Sequence, residues 1–222
     1  MKLFLKPFLV SAFLVSTLLA LSLAVHAADT SVLKPPPGAR VAIVVFEDLE
    51  CPTCARVYPQ VWQVANANSV AVMLHDFPLP THPWSFDAAV FARFFDTKSE
   101  KLGNDFRSYI YSNQPQVTKA NLRQWVEKFA SDNKTPLPFA FDSDGKLKEK
   151  VMADRDLGNQ LGVTGTPTIY VVGNGGGATP AVQVKDFDKL NEAVQDMLQK
   201  SPAPKAAVKP GAIKKRAAKK PQ

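Results

Sequence analysis

The stretch that decides the fold reads Val41-Ala42-Ile43-Val44-Val45-Phe46-Glu47-Asp48-Leu49-Glu50-Cys51-Pro52-Thr53-Cys54. Its first six residues are continuously apolar and mostly β-branched, which predicts a short buried strand. The next segment, from Cys51 to about Asn66, carries apolar residues at helical spacing and predicts a helix. The only two cysteines of the chain therefore stand where a strand ends and a helix begins.

Further strands are predicted on both sides of a longer middle region. Val70–Leu74 has the composition of a second buried strand. Thr168–Val172 and Ala181–Val184 predict two more strands, and the glycine-rich run 173–177 between them favours a hairpin because glycine tolerates positive φ. The chain thus places two strands before the middle region and two after it.

Helices are expected to dominate residues from about 85 to 161. Ser85 and Thr118 are the predicted caps of two of these helices, and Gly162 is the expected end of the last one. Asp186 is the predicted cap of a final amphipathic helix. The order strand–helix–strand, helical block, strand–strand–helix predicts an α/β fold in which helices pack on a mixed sheet.

The N-terminus has the pattern of a targeting segment. Residues 1–27 contain two lysines, a long apolar stretch and the small-residue cleavage pattern Val25-His26-Ala27, which together predict a cleavable signal peptide. A retained membrane anchor is the alternative, because the apolar stretch is nearly long enough to span a bilayer. Either way, the folded part, one domain over residues 28–200, is expected outside the cytoplasm.

The net charge of +7 is concentrated at the C-terminus. Residues 201–222 carry seven basic residues, no acid and almost no large apolar residues, so we predict a disordered tail. With the two lysines of the leader also set aside, residues 28–200 have a net charge of −2. The tail could bind an anionic surface, or it could be solvated without a specific partner. Nucleic acid is not expected as a partner of an exported protein.

The two cysteines have the spacing and placement of a redox pair. Cys51 is expected to be exposed at the start of a helix, where unpaired backbone N–H groups and the helix dipole stabilise a thiolate. Cys54 lies one turn further in, and Pro52 suits the first helical position because its missing N–H costs nothing there. We therefore assign Cys51 as the attacking thiolate and Cys54 as the resolving thiol.

Structural or metal-binding roles for the cysteines and histidines have less support. A structural disulfide would more often join distant segments, and two inert thiols would be unusual in an oxidising compartment. A zinc site would need two more ligands, and His75 and His82 have no recognised metal-binding spacing, so no metal or other cofactor is expected. His75 and Asp76 could act as a general base on Cys51, although a structural role is favoured.

The segment Phe46–Cys54 resembles the active-site segment of the DsbA-like thioredoxin-fold oxidoreductases, and Gly165-Thr166-Pro167-Thr168 is similar to their cis-proline loop. The resemblance extends from about Val41 to Lys200. It implies a thioredoxin-like fold, in which helices flank a mixed central sheet and a helical subdomain is inserted. It also implies a cis bond before Pro167, in a loop where Thr166 and Pro167 bind an extended substrate by β-strand addition.

One position departs from this resemblance. Thioredoxins and many DsbA-like proteins carry a buried acid six residues before the first active cysteine, and that position is Val45 here. Glu50, beside Cys51, could pass protons or oppose the thiolate, although a solvated surface charge is favoured. Pro52 and Thr53, between the cysteines, are further candidates for tuning the thiolate.

The resemblance implies an exported, monomeric enzyme that oxidises the thiols of other exported proteins. Its location would be the periplasm or cell envelope, with membrane association if the leader is uncleaved. Reoxidation would require a quinone-linked membrane oxidase, either DsbB-like or vitamin K epoxide reductase-like. Two other functions stay open: a disulfide reductase or isomerase that uses the same cysteines, and a non-catalytic peptide-binding chaperone of the same fold.

Overall fold

The computed structural model describes residues 29–175 and 181–201. The predicted signal peptide, nearly all of the predicted tail and part of the glycine-rich turn lie outside the described residues. Across the two described ranges, no helix is both long enough and apolar enough to cross a membrane.

Four strands of the described chain form one mixed sheet, in the order β2–β1–β3–β4. Their bounds are β1 (Val41–Glu47), β2 (Ala71–Asp76), β3 (Thr168–Gly173) and β4 (Val182–Val184). β1 pairs in parallel with β2 and antiparallel with β3, and β4 pairs antiparallel with β3. The four predicted strands and the hairpin pairing of the last two are confirmed. The sheet runs one or two residues longer than predicted at the ends of β1, β2 and β3.

Six α-helices occur in the same described ranges. They are α1 (Pro52–Asn68), α2 (Ser85–Asp96), α3 (Glu100–Asn113), α4 (Leu122–Asp132), α5 (Lys146–Gln160) and α6 (Leu190–Lys200). Short 3₁₀ turns cover Thr30–Val32, Gln114–Gln116 and Phe187–Lys189. The four helices α2 to α5 follow β2 and precede β3, so the helical insertion expected at about 85–161 is present.

Helices cover both faces of the sheet, which explains why all of β1 is buried. On one face, alternate β1 residues such as Ile43 pack with buried residues of α1 and α6. On the other face, residues such as Phe46 pack against the end of α5. A separate aromatic core holds α2, α3 and α4 together, and it reaches Cys51 and Cys54. The cysteines therefore lie at the junction between the sheet and the helical block.

The predicted cap of α2 is wrong. Ser85 is the first residue of α2, and Trp84 occupies the cap position without a capping hydrogen bond. The Ser85 hydroxyl instead donates a hydrogen bond to the buried carboxylate of Asp48. A tertiary contact thus takes the group that local sequence would assign to the helix start.

The predicted caps of α4 and α6 are also displaced. Thr118 and Asn121 accept hydrogen bonds from each other's backbone N–H group and close a turn, after which Asn121 is the residue that precedes α4. Asp186 caps the 3₁₀ turn Phe187–Lys189, and α6 begins only after that turn. In both places the side chain does cap a backbone N–H, but it caps a tight turn three or four residues ahead of the helix.

Helix α5 ends as the sequence predicts, with Gly162 at φ +70° just beyond it. It begins at Lys146, directly after Gly145 at φ +72°. Another glycine, Gly158, lets α5 approach the sheet, because a Cβ atom there would lie 2.5 Å from the Phe77 ring and 3.2 Å from the Phe46 ring. The close packing of α5 on this face of β1 therefore requires glycine at 158.

Candidate active site

The structure places the cysteine pair at the start of α1, as predicted. Cys51 is the N-cap and Pro52 the first helical residue. Between β1 and α1 the chain makes a tight turn, in which the Cys51 N–H donates to the Asp48 carbonyl at 3.0 Å. The Asp48 side chain stabilises the same turn by accepting from the Glu50 N–H at 2.8 Å. The turn orients the first cysteine over the helix end.

Cys51 is more buried than predicted, with 6 % of its surface exposed, so the expectation of an exposed thiol is wrong. Two neighbouring segments account for the cover. The Thr166 carbonyl oxygen lies 3.2 Å from the Cys51 sulfur. The Gln114 side-chain amide donates to the Leu49 carbonyl at 2.8 Å and to the Cys51 carbonyl at 3.2 Å. These contacts hold the Thr166 loop and the end of the helical block against Cys51.

Both cysteines are free thiols, so the structure describes the reduced form. A hydrogen bond from the Cys54 thiol contributes most to lowering the pKa of Cys51, to about 5 from an ordinary value of 9.0. Burial opposes this shift, while the Thr166 side chain and the backbone N–H groups of Cys54 and Thr53 add to it. These N–H groups face the sulfur, although none completes a capping hydrogen bond. Cys51 is thus a thiolate at neutral pH.

Cys54 has the opposite character. Burial raises its pKa far above the ordinary value, and the hydrogen bond to Cys51 raises it further. Only 3 % of its surface is exposed. The reduced pair therefore holds one thiolate and one thiol, and the Cys54 proton must leave before a disulfide can close.

Glu47 is the candidate residue that the sequence analysis missed. It is 2 % exposed, and it lines the same small void as Cys54 and Pro167. The Arg107 Nε donates to one carboxylate oxygen at 2.9 Å, and the Tyr111 hydroxyl donates to the other at 3.1 Å. Burial nevertheless raises the pKa of Glu47 to about 7. Strand alternation was the available signal, since Glu47 lies two residues beyond Val45 on the same face of β1.

The other two acids of this segment hold the loop between β2 and α2. Glu50 accepts a hydrogen bond from the Trp84 N–H at 2.7 Å, and burial raises the pKa of Glu50. Asp48 binds the Ser85 hydroxyl and lies 2.7 Å from the His82 Nδ1. The interpretation of Glu50 as a solvated surface charge is corrected, because its half-buried carboxylate anchors the loop that borders the site.

His75 and Asp76 have structural roles, as favoured. The His75 ring stacks on Phe46 with centroids 5.0 Å apart, and its Nδ1 lies 2.7 Å from the Asp154 carboxylate. Asp76 is 1 % exposed and pairs with Arg93. Neither side chain is among the residues that shift the pKa of Cys51.

The Thr166–Pro167 peptide bond is cis, as the family resemblance implied. The loop lies against the cysteines: Thr166 contacts the Cys51 sulfur, and Pro167 lines the void beside Cys54. Pro52 is exposed on the first turn of α1, and the neighbouring Thr53 is half-buried. The structure therefore brings together all the predicted site residues and adds Glu47, with Arg107 and Tyr111 behind it.

The site can exchange disulfides with the groups it contains. It has a low-pKa thiolate, a second thiol in hydrogen-bond contact with it and a buried carboxyl group that titrates near neutrality. In the described residues, no group of three or more His, Cys, Asp and Glu side chains is arranged to hold a metal ion.

Comparisons with known proteins agree with a role in disulfide exchange. A family model described as Thioredoxin matches residues 30–196. The chain is similar to the "Probable disulfide bond formation protein D" of Bacillus cereus, with 29 % identity over 176 residues that cover 73 % of this chain and 76 % of the relative. The protein of the same name in Bacillus anthracis matches to the same extent.

Two solved structures show a similar fold. DsbA2 of Pseudomonas aeruginosa has a TM-score of 0.53 at 19 % identity, and the match covers 74 % of this chain and 92 % of that one. Oxidised BdbD of Bacillus subtilis has a TM-score of 0.59 at 20 % identity, and the match covers 75 % of this chain and 91 % of that one.

Proposed function

The chain belongs to the thioredoxin family as a DsbA-like thiol–disulfide oxidoreductase, and from that premise we propose that it oxidises the thiols of exported proteins with a disulfide between Cys51 and Cys54. The low pKa of Cys51 is the single observation that supports this direction most strongly. A stabilised thiolate favours the reduced form of the pair, and a pair that favours its reduced form is a strong oxidant.

The proposed reaction starts from the oxidised pair. A substrate thiolate attacks the Cys51 sulfur, the Cys51–Cys54 bond breaks, and its electron pair stays on Cys54, which takes up a proton. A second substrate thiolate then attacks the substrate sulfur of the mixed disulfide and expels Cys51 as a thiolate. Two substrate thiols have become a disulfide, and the enzyme has gained two electrons. One of the two substrate protons stays on Cys54 and the other goes to solvent.

Glu47 is proposed as the group that exchanges the proton of Cys54. A carboxyl group with a pKa of about 7 can give and take a proton at neutral pH, whereas one near its ordinary value of 4.5 would stay ionised. The void that Glu47 and Cys54 share brings the two side chains together away from bulk solvent. Glu47 would thus replace the acid that the family often carries six residues before the first cysteine.

We infer the substrate contact and the partners from the family to which the chain belongs. The backbone of the Thr166–Pro167 loop would bind the substrate chain next to its reacting cysteine. A quinone-linked membrane oxidase, DsbB-like or vitamin K epoxide reductase-like, would reoxidise the pair in the periplasm or cell envelope. The protein would act as a monomer, and the basic tail would be available to an anionic surface.

The reduction potential tests the direction. Equilibration of the full chain with glutathione redox buffers, read by mass shift after thiol alkylation, should give a potential well above the roughly −270 mV of thioredoxin and toward the roughly −120 mV of DsbA. A potential near the thioredoxin value would instead favour a reductase.

A further inference from the structure

A groove runs between α1 and α3 on the outer side of the helical block. Its volume is about 1000 Å³, which is at the upper end of the range for ligand pockets. Tyr58 and Trp62 of α1 and Tyr111 of α3 form an aromatic floor. The Tyr58 ring centroid lies 6.2 Å from that of Trp62 and 5.0 Å from that of Tyr111, so the floor is continuous. We call this feature the α1–α3 groove.

The rim of the α1–α3 groove is rich in side-chain amides. Gln63 and Asn66 of α1 face Asn104 of α3 across the opening. In the described part of the chain, none of these three amide side chains hydrogen-bonds to another residue. Each one offers a donor and an acceptor, which is what the backbone N–H and C=O groups of an extended polypeptide require. The net charge of the rim is small, because Asp105 pairs with Lys101 at 2.6 Å and Glu100 is the only other charged residue that lines the groove.

The α1–α3 groove lies close to the redox site. Ala55, which lines its near end, directly follows Cys54. On the opposite wall, Tyr111 and Ser112 line the groove shortly before Gln114, whose amide donates to the Cys51 carbonyl at 3.2 Å. No residue of the loop 165–168 lines it. Neither cysteine lines the groove, which therefore lies beside the redox site and is separate from the cis-proline loop.

We propose that the α1–α3 groove binds the unfolded polypeptide whose cysteine reacts with Cys51, as a second contact beyond the Thr166–Pro167 loop. The aromatic floor takes one apolar or aromatic side chain of the substrate, and the amide rim binds its backbone without regard to sequence. This inference rests on the proposed oxidation of protein thiols. It adds a preference for substrates with a large apolar residue near the reacting cysteine.

The test compares two substrates of the full-length protein. One is dithiothreitol, which is too small to fill the groove, and the other is a two-cysteine peptide with a tryptophan a few residues from the first cysteine. For Trp62→Ala, KM for the peptide should rise at least about fivefold, which corresponds to the loss of about 1 kcal/mol that marks an important interface residue. The rate with dithiothreitol should not change.

Trp125→Ala is the matched control. Trp125 packs on Tyr109 inside the helical block, and it does not line the groove. Calorimetry with a cysteine-free version of the peptide separates binding from chemistry. Its Kd should rise at least about fivefold for Trp62→Ala and stay unchanged for Trp125→Ala.

Three results would overturn the inference. One is an equal loss with both substrates, which would mean that Trp62→Ala damages the redox site itself. Another is an unchanged peptide Kd in Trp62→Ala. A third is a synthetic peptide of residues 202–222 that displaces the substrate peptide and binds more tightly, which would assign the groove to the tail of the chain. Failure of the wild-type protein to oxidise dithiothreitol would instead contradict the proposed function.

Discussion

Two buried acids near the end of β1 have pKa values shifted in opposite directions. Cys51, under the Thr166 loop, has its pKa lowered to about 5, whereas Glu47, beneath Cys54, has its pKa raised to about 7. Both receive hydrogen bonds that favour the charged form. For Cys51, the Cys54 thiol, the Thr166 side chain and the backbone N–H groups at the helix start outweigh burial. For Glu47, burial outweighs Arg107 and Tyr111. The balance between burial and the groups that favour the charged form therefore decides the sign of each shift.

The largest expected effect is a difference in mixed-disulfide formation between Cys51 and Cys54 when each cysteine is replaced in turn. Cys54→Ser, mixed with a peptide disulfide, should accumulate a stable mixed disulfide through Cys51, because no resolving thiol is left. Cys51→Ser should form none, since burial keeps the remaining thiol protonated. Mass spectrometry of alkylated samples measures both. A mixed disulfide at Cys54 in the Cys51→Ser variant would contradict the assignment of the attacking thiol.

The contacts of Glu47 should contribute strongly to the free energy of unfolding. Arg107 is 1 % exposed, and Glu47→Leu removes the partner of its Nε. Breaking a buried ion pair costs about 3–5 kcal/mol, so the free energy of unfolding in urea should fall by that order. Glu47→Gln keeps an oxygen acceptor for Arg107 and should lose less. Equal stability of Glu47→Leu and the parent would mean that this ion pair does not hold the helical block to β1.

The raised pKa of Glu47 should appear in the pH dependence of stability. Its folded pKa of about 7 exceeds the ordinary 4.5, so folding favours the protonated form. The resulting stabilisation is full below about pH 4.5 and is lost as the pH rises through 7, a change of about 3 kcal/mol. Urea unfolding in a Cys51→Ser background, where the low-pKa thiolate is absent, isolates this slope.

Glu47→Gln is the control for that slope, because a glutamine does not titrate. If the slope between pH 4.5 and 7 is the same with glutamine at position 47, another group is responsible, and the pKa of Glu47 is not raised as described.

A smaller loss of stability is expected from a substitution beside Asp96, the second partner of Arg107. Arg107 also binds Asp96, with its Nη1 2.8 Å from one carboxylate oxygen, and Gly103 leaves space for that pair. A Cβ atom at Gly103 would lie 1.7 Å from Asp96 Oδ1. Gly103→Ala should therefore destabilise the protein by about 1–3 kcal/mol in thermal unfolding. Gly165→Ala, where a Cβ would meet no atom within 4 Å, serves as the control.

The cysteines and the start of α1 are predictable from sequence, whereas the partners of the buried acids are not. The strand, the helix start and the cysteines lie within fourteen consecutive residues, Val41 to Cys54, so local patterns identify them. The partners of the acids come from far along the chain: Arg107 is 60 residues from Glu47, and Ser85 is 37 residues from Asp48. The cis-proline loop, also distant, is identified only through the family resemblance.

Sequence distance also accounts for two of the wrong predictions at the site. Ser85 has the local pattern of a helix cap, and nothing near it in the sequence indicates Asp48 as its partner. An exposed Cys51 is expected from the helix start alone, because the covering groups, Thr166 and Gln114, are brought to it by the tertiary fold. Local periodicity sets the elements, and long-range polar contacts set the burial and charge of the site.

The Cys54 thiol, the Thr166 side chain and the start of α1 together hold Cys51 as a thiolate. Ultraviolet absorbance of the thiolate, followed across a pH titration of the reduced full chain against the Cys51→Ser variant, measures this directly. We expect a midpoint at about pH 5 that is absent from the variant. A midpoint close to the ordinary value of 9.0 would contradict it.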